Sequence, residues 1–170
     1  YAFKIFRHEP GKNSLSNNYI WNIYEDKEGI LWITTFGGGL NRYDPVTETF
    51  TYYKREKNGS GLSNNNTFAI LEVNNILWIG TDDGFCSLDK KSGTIKRYLQ
   101  TPGNEKGISA NHIGTIAYQQ EGFLWMTSDS GLTRFNIATE EIKFFGQKIF
   151  DCAFSIKTIM KIRCSGNNLL

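Results

Sequence analysis

Three copies of one short sentence run through this chain, each centred on a tryptophan: Leu31-Trp32-Ile33-Thr34-Thr35, Leu77-Trp78-Ile79-Gly80-Thr81 and Leu124-Trp125-Met126-Thr127-Ser128. Trp32 and Trp78 stand 46 residues apart, and Trp78 and Trp125 stand 47 apart. The flanks repeat as well. Leu15-Ser16-Asn17-Asn18 returns as Leu62-Ser63-Asn64-Asn65 and, loosely, as Ile108-Ser109-Ala110-Asn111. A glycine and a hydrophobic residue follow each tryptophan (Gly39-Leu40, Gly84-Phe85, Gly131-Leu132), and Asp44, Asp89 and Asn136 close the next segment. Self-similarity at this period means an array of supersecondary units, each needing its neighbours to bury its apolar faces.

Within the first unit the apolar residues fall into short runs: Ile20 to Glu25, Ile30 to Thr35, Leu40 to Tyr43 and Phe50 to Tyr53. Polar or glycine-rich turns separate them, at Asp26-Lys27-Glu28-Gly29, Gly37-Gly38-Gly39 and Asp44-Pro45-Val46-Thr47. Runs of this length, rich in Ile, Trp, Tyr, Phe and Thr, read as strands, and no helical apolar stripe competes with them before residue 146. Four short antiparallel strands per repeat of this length describe a β-propeller blade. The chain is therefore expected to be all-β, with three four-stranded blades at 13–54, 60–99 and 106–146. Trp32, Trp78 and Trp125 are expected in the gaps between blades, where burying such a ring is worth roughly 2–3 kcal/mol. Ile23, Ile70 and Ile116, in the middle of each first strand, are expected to join that core.

The two ends do not fall at blade boundaries. Residues 1–12, through Phe3-Lys4-Ile5-Phe6, align with the fourth strands and suggest the outer strand of a preceding blade. Residues 147–170 suggest an incomplete or aberrant fourth repeat. Three blades and a fraction do not close a ring, so the expected partners include further blades or a second copy of the chain.

Composition narrows the function classes. The net charge is +2, with both signs mixed along the chain, which gives no nucleic-acid surface and no membrane-binding face. The basic stretch Lys157, Lys161, Arg163 reads as a solvated tail. Cys86 occupies a third-strand position equivalent to Asn41 and Thr133 and is expected as a buried thiol, whereas Cys152 and Cys164 give no firm disulfide. Asn58-Gly59-Ser60 and Asn65-Asn66-Thr67 match the glycosylation sequon, as chance allows in a chain this rich in Asn and Ser.

Catalytic constellations are hard to assemble. The two histidines, His8 and His112, lie far apart, and the chain carries no zinc-protease, P-loop or nucleophile-elbow motif. No metal or cofactor is expected. Asp82, Asp83 and Asp129 sit where the second strand turns into the third, a place where Asp-Gly and Asp-Ser-Gly serve tight turns. In an up-and-down blade that turn and the loop leading into the first strand share one face. Residues there that do not repeat are the better ligand candidates: Tyr19, Trp21, Phe36, Asn66, Phe68, Asp82, Asp83, His112 and Asp129. Amides beside aromatic rings form a palette suited to sugars. The repeated Asn18, Asn65 and Asn111 are expected instead to bond backbone in turns.

The stretch Glu25-Asp26-Lys27-Glu28-Gly29-Ile30-Leu31-Trp32-Ile33-Thr34-Thr35-Phe36-Gly37-Gly38-Gly39-Leu40-Asn41-Arg42-Tyr43-Asp44-Pro45, with its lead-in Asn13 to Asn18, closely resembles the two-component regulator propeller repeat. The second unit departs from it, with Val73-Asn74-Asn75 in place of the acid–glycine turn. The third keeps Glu121-Gly122-Phe123-Leu124-Trp125. The resemblance implies the periplasmic sensor region of Bacteroides-type hybrid two-component histidine kinases, homodimers that detect oligosaccharides and switch on glycan-utilisation genes. It carries over no ligand residues. An enzyme similar to the streptogramin lyases would instead need His112 with Asp82 or Asp129 as its acid–base set. A plain protein-interaction scaffold is the third expectation.

Overall fold

A computed structural model of the chain describes residues 3–100, 108 and 111–146. Residues 147–170, with Cys152, Cys164 and the basic stretch of Lys157, Lys161 and Arg163, lie outside the described residues, as do Ser109 and Ala110. Twelve strands form three antiparallel four-stranded sheets, and no helix occurs among the described residues. The first sheet runs in chain order through β1 (Ile20–Glu25), β2 (Leu31–Thr35), β3 (Gly39–Asp44) and β4 (Thr49–Tyr53). β5 (Thr67–Val73), β6 (Ile76–Thr81), β7 (Phe85–Asp89) and β8 (Ile95–Tyr98) make the second. β9 (Ile113–Gln119), β10 (Phe123–Ser128), β11 (Gly131–Asn136) and β12 (Ile142–Gly146) make the third. The innermost strands pack side by side, β1 on β5 and β5 on β9. These are three consecutive blades of a propeller.

The repeated small residues earn their places by geometry. Asp44 Oδ1 accepts from the Val46 and Thr47 amides, Asp89 Oδ1 from Lys91 and Ser92, and Asn136 Oδ1 from Ala138 and Thr139. Those amides hold the Asp44 and Asp89 carboxyls below the usual carboxylate range. Gly39 and Gly84 take φ of +76° and +80°, and a Cβ there would stand 2.3 and 2.1 Å from the Tyr53 and Tyr98 carbonyl oxygens. Each also ties its blade to the next: the Gly39 amide donates to the Asn65 carbonyl (2.8 Å), the Gly84 amide to the Asn111 carbonyl (2.6 Å). The repeated asparagines work on backbone as expected, Asn18 Oδ1 accepting from the His8 amide and Asn65 Oδ1 from the Arg55 amide.

All three repeat tryptophans are buried, but only Trp32 and Trp78 lie in blade gaps: Trp125 is on the face of the third sheet opposite Leu124 and Met126, against Phe145 of its own blade. Trp32 joins Leu62, Ile70, Leu77, Ile79, Cys86 and Leu88 in the gap between the first two blades; Trp78 joins Ile113, Ile116, Leu124 and Phe135 in the next. Cys86 is the expected buried thiol, its pKa pushed up by burial. The indole N–H groups differ. Trp32 Nε1 donates to Asp26 Oδ2 (2.8 Å) and Trp125 Nε1 to Gln119 Oε1 (2.6 Å), each partner six positions upstream. Glu72 holds the same offset before Trp78, yet Trp78 Nε1 has no partner among the described residues. The cause is turn length. β5 and β6 join through Asn74 and Asn75, both at positive φ (51° and 68°), as a two-residue hairpin demands. Leu71 therefore pairs with Trp78, and Glu72 pairs with Leu77 and faces the other way. Trp78→Phe should thus lose no hydrogen bond. Trp32→Phe is expected to cost about 1.5–3 kcal/mol more than Trp78→Phe, because it removes a bond to a charged acceptor. Urea unfolding of the two variants measures the difference.

Turned toward the first blade, Glu72 enters a charge cluster that has no counterpart in the repeat pattern. Lys90 Nζ lies 3.0 Å from Asp26 Oδ2, 2.9 Å from Glu28 Oε2 and 2.9 Å from Glu72 Oε2, and its side chain is only 8% exposed. Tyr24 donates its hydroxyl to Glu72 (3.2 Å), and Asp26 also accepts from the Glu28 and Ile30 amides. Burial alone would pull the Lys90 pKa down, but the three carboxylates outweigh it and hold the ammonium raised.

One expected core residue is not in the core. Ile70 and Ile116 are buried, but Ile23 is 56% exposed. Ile23 pairs with Ile33, on the face of the first sheet opposite Trp32. Among the described residues that face carries only the small cluster of Leu15, Ile33 and Tyr43. Phe6 reaches it, edge-on to Tyr43 and Phe50, and residues 3–9 form no ladder.

Candidate functional site at the propeller mouth

The loop before each first strand meets the turn between the second and third strands. The Phe36 amide donates to the Tyr19 carbonyl (2.9 Å), and the Asp82 amide to the Asn66 carbonyl (3.2 Å). Each first strand also breaks register here. The ladder skips Trp21 in β1, Phe68 and Ala69 in β5, and Gly114 in β9. A bulge at this position re-aims one side chain out of the strand's alternation, so the sequence variation among Trp21, Phe68 and Gly114 falls where the backbone presents a side chain to the mouth.

Most of the expected site residues come together there. The Trp21 ring stands edge-on to Phe68 with centroids 5.2 Å apart, Phe36 lies 6.3 Å from Phe68, and Phe68 meets His112 edge-on at 4.6 Å. His112 Nδ1 sits 2.8 Å from Asp82 Oδ1, and Asn66 Nδ2 donates to Asp82 Oδ2 at 2.6 Å. One contact chain thus crosses all three blades. Its outer members are open to solvent: Tyr19, Trp21 and Phe36 are all exposed. Phe68 is not. At 4% exposure it offers a ligand no surface, and the expectation that it does is corrected here: rings from the first blade and the imidazole from the third enclose it, so it acts as the pedestal beneath Trp21 and Phe36. Asp83 leans away toward Arg55 (3.7 Å). Asp129 is exposed and bonds to none of the described residues. Arg55 was missed from sequence, because nothing local marks a lead-in residue as an ion partner.

Asp82 fixes the imidazole, but the other ring nitrogen faces the Gly114 backbone, where a Cβ would stand 3.3 Å from it. Asp129 does not join the pair, and no cluster of three or more metal-ligating side chains occurs among the described residues. What the mouth does offer is two exposed rings on a buried ring, beside an ordered amide–carboxylate–imidazole chain.

The two component regulator propeller family model matches residues 14–37. Histidine kinase P4 of Formosa agariphila is 32% identical over 183 residues, an alignment covering 80% of this chain and 13% of that protein. Among solved structures, the extracellular domain of B. thetaiotaomicron BT3049, described as a hybrid two component system, superposes with a TM-score of 0.71 at 25% identity, over 78% of this chain and 19% of that one. The extracellular domain of BT4673 from the same organism, described as a one component or hybrid two component system, gives 0.63 at 32% identity, over 82% and 20%. The chain thus spans about a fifth or less of each relative. No helix among the described residues is long and apolar enough to cross a membrane. Repeat, blade and relatives agree: this chain is a run of propeller blades that matches the two component regulator propeller model at residues 14–37 and is similar to the extracellular domains of two-component systems.

Proposed function

We propose that this segment is the non-catalytic, ligand-recognising part of a periplasmic sensor in a hybrid two-component histidine kinase, and that its ligand is an oligosaccharide whose arrival regulates glycan-utilisation genes. The observation that carries the proposal is the bulge-presented Trp21, held with Phe36 on the buried Phe68 and flanked by the Asn66–Asp82–His112 chain. Rings stack on the apolar faces of sugars, and the ordered polar chain bonds hydroxyls. The kinship with extracellular domains of two-component systems supports the location and the signalling role. The uncovered face around Ile23 is where a further blade or a second copy of the chain packs, and a ligand that favours one arrangement of a homodimer over another needs only a few kcal/mol of differential affinity to signal.

Calorimetric titration of the full chain with a panel of neutral oligosaccharides tests the proposal. Trp21→Ala should weaken the ligand that binds about thirtyfold, the effect of removing a central aromatic anchor worth about 2 kcal/mol. Equal affinity in Trp21→Ala and wild type would remove the mouth as the site.

A further inference from the structure

Away from the mouth, an open groove of about 820 Å³ runs between the outer strands of the first two blades. Residues of β4 and β8 line it, together with Gly59 to Gly61 and the Gly93-Thr94 turn. The 55–61 segment is a small hairpin of its own, bridged between Arg55 and Gly61 and closed by the Glu56 amide on the Ser60 carbonyl (3.0 Å). Tyr53 contributes a ring that rests on Trp32, with centroids 5.8 Å apart, and a hydroxyl with no partner among the described residues. Gly59 and Gly93 have no backbone packed on their Cβ positions, so that a ring-sized ligand can approach them, whereas Gly61 is closed by the Lys54 carbonyl.

Among the described residues the charges of this groove do not balance. Arg97 pairs in the ladder with Cys86, on the face of the second blade that meets Trp32, and is half-buried. Its guanidinium reaches to 3.6 Å from where a Cβ on Gly59 would stand, yet it makes no hydrogen bond or ion pair with any described residue. Lys54 lies over the Tyr52 ring at 5.6 Å and has no carboxylate partner among the described residues. Lys96 is already committed to Glu140 of the third blade (2.5 Å), and Glu56 is the one acid in the lining. A partly desolvated guanidinium is expected to have a counter-charge, and its planar fork matches an oxyanion better than any other group in the groove.

We propose that this groove is a second ligand subsite, which takes the carboxylate or sulfate group of an acidic saccharide, with Arg97 as the anion-binding fork and Lys54 as the second cation. The word saccharide rests on the function proposed above; the anion preference rests on the groove alone. The probes are trigalacturonate, its neutral counterpart trigalactose, and inorganic sulfate, each titrated into the full chain. Arg97→Met should weaken trigalacturonate about tenfold or more, as expected when a charge-assisted bond is lost, and leave trigalactose unchanged. Arg97→Lys should fall between, because it keeps the charge and loses the fork. Trigalacturonate binding that survives Arg97→Met, or that is abolished by Trp21→Ala instead, overturns the subsite and leaves the mouth intact. If neither sugar binds wild type, the saccharide function fails, and sulfate then decides the groove by itself. A sulfate-dependent shift of the Arg97 Nε–Hε resonance sustains an anion subsite for free oxyanions, and no shift overturns it.

Discussion

Lys90→Met should cost the protein about 3–5 kcal/mol, the penalty for stripping the partner from buried charges. The Asp26 carboxylate is 2% exposed and that of Glu72 is 11% exposed; Lys90 meets Glu72 on its own blade and Asp26 across the first blade gap. Methionine keeps the bulk of the lysine stem and leaves two carboxylates without their cation. Adding Asp26→Asn and Glu72→Gln should recover much of the loss, because the cost lies in uncompensated charge and not in a missing contact. The pH dependence carries a sign. Burial would raise the Asp26 carboxyl, but bonds from Trp32, Lys90 and Ile30 outweigh it and hold it lowered. Its contribution is therefore present above the unfolded value of about 3.9 and lost as pH falls through the lower folded value. Lys90 is raised, so its contribution is full below about 10.4 and is lost as pH rises through the folded value. Urea unfolding should show the gap between wild type and Lys90→Met at pH 7 and its progressive narrowing as the pH falls below about 3.9. A gap under about 1 kcal/mol at pH 7 would mean that the cluster does not clamp the blades.

Gly84→Ala should be similarly damaging, by roughly 2–5 kcal/mol. Left-handed backbone costs a residue with a Cβ about 1–2 kcal/mol, and forcing that Cβ into a packed site costs about 1–3 more. Both apply at Gly84, where φ is +80° and the Tyr98 carbonyl oxygen would lie 2.1 Å from the new atom. The same residue donates to the Asn111 carbonyl, so a shift that relieves the clash also loosens the joint to the third blade. Gly29 is the matched control. Its φ is +78°, but nothing lies within 4 Å of its Cβ position, so Gly29→Ala should show only the backbone share. Thermal unfolding of the two variants side by side separates the terms, and equal losses would mean that the close approach at Gly84 carries no weight.

The fold was legible because the chain states it three times. The Trp–Gly–acid spacing fixes strand, turn and blade in each copy, and the observed strands of the first blade lie within a residue or so of the apolar runs. What the sequence hid depends on face and register. Glu72 stands where Asp26 and Gln119 stand, and only the two-residue turn after it reveals that it points at the first blade instead of at its own tryptophan. Lys90 answers it from a position with no repeat. Ile23 reads as core by its spacing, and burial there depends on a neighbour that the described residues do not supply. At the mouth, departure from the repeat picked out Trp21, Asn66 and His112. It did not separate the ring that faces solvent from the one beneath it, since Phe68 is buried by residues 47 positions upstream and 44 downstream in sequence.

Of the chain's four tryptophans, three are buried, Trp32 and Trp78 in the two blade gaps and Trp125 within its own blade, and Trp21 alone stands open at the mouth. Intrinsic tryptophan emission during titration of the full chain with oligosaccharides therefore tests the central claim directly. A saturable change in wild type that disappears in Trp21→Phe is the result this account predicts. Binding that leaves the emission unchanged, or a change that persists in Trp21→Phe, would place the ligand elsewhere and contradict it.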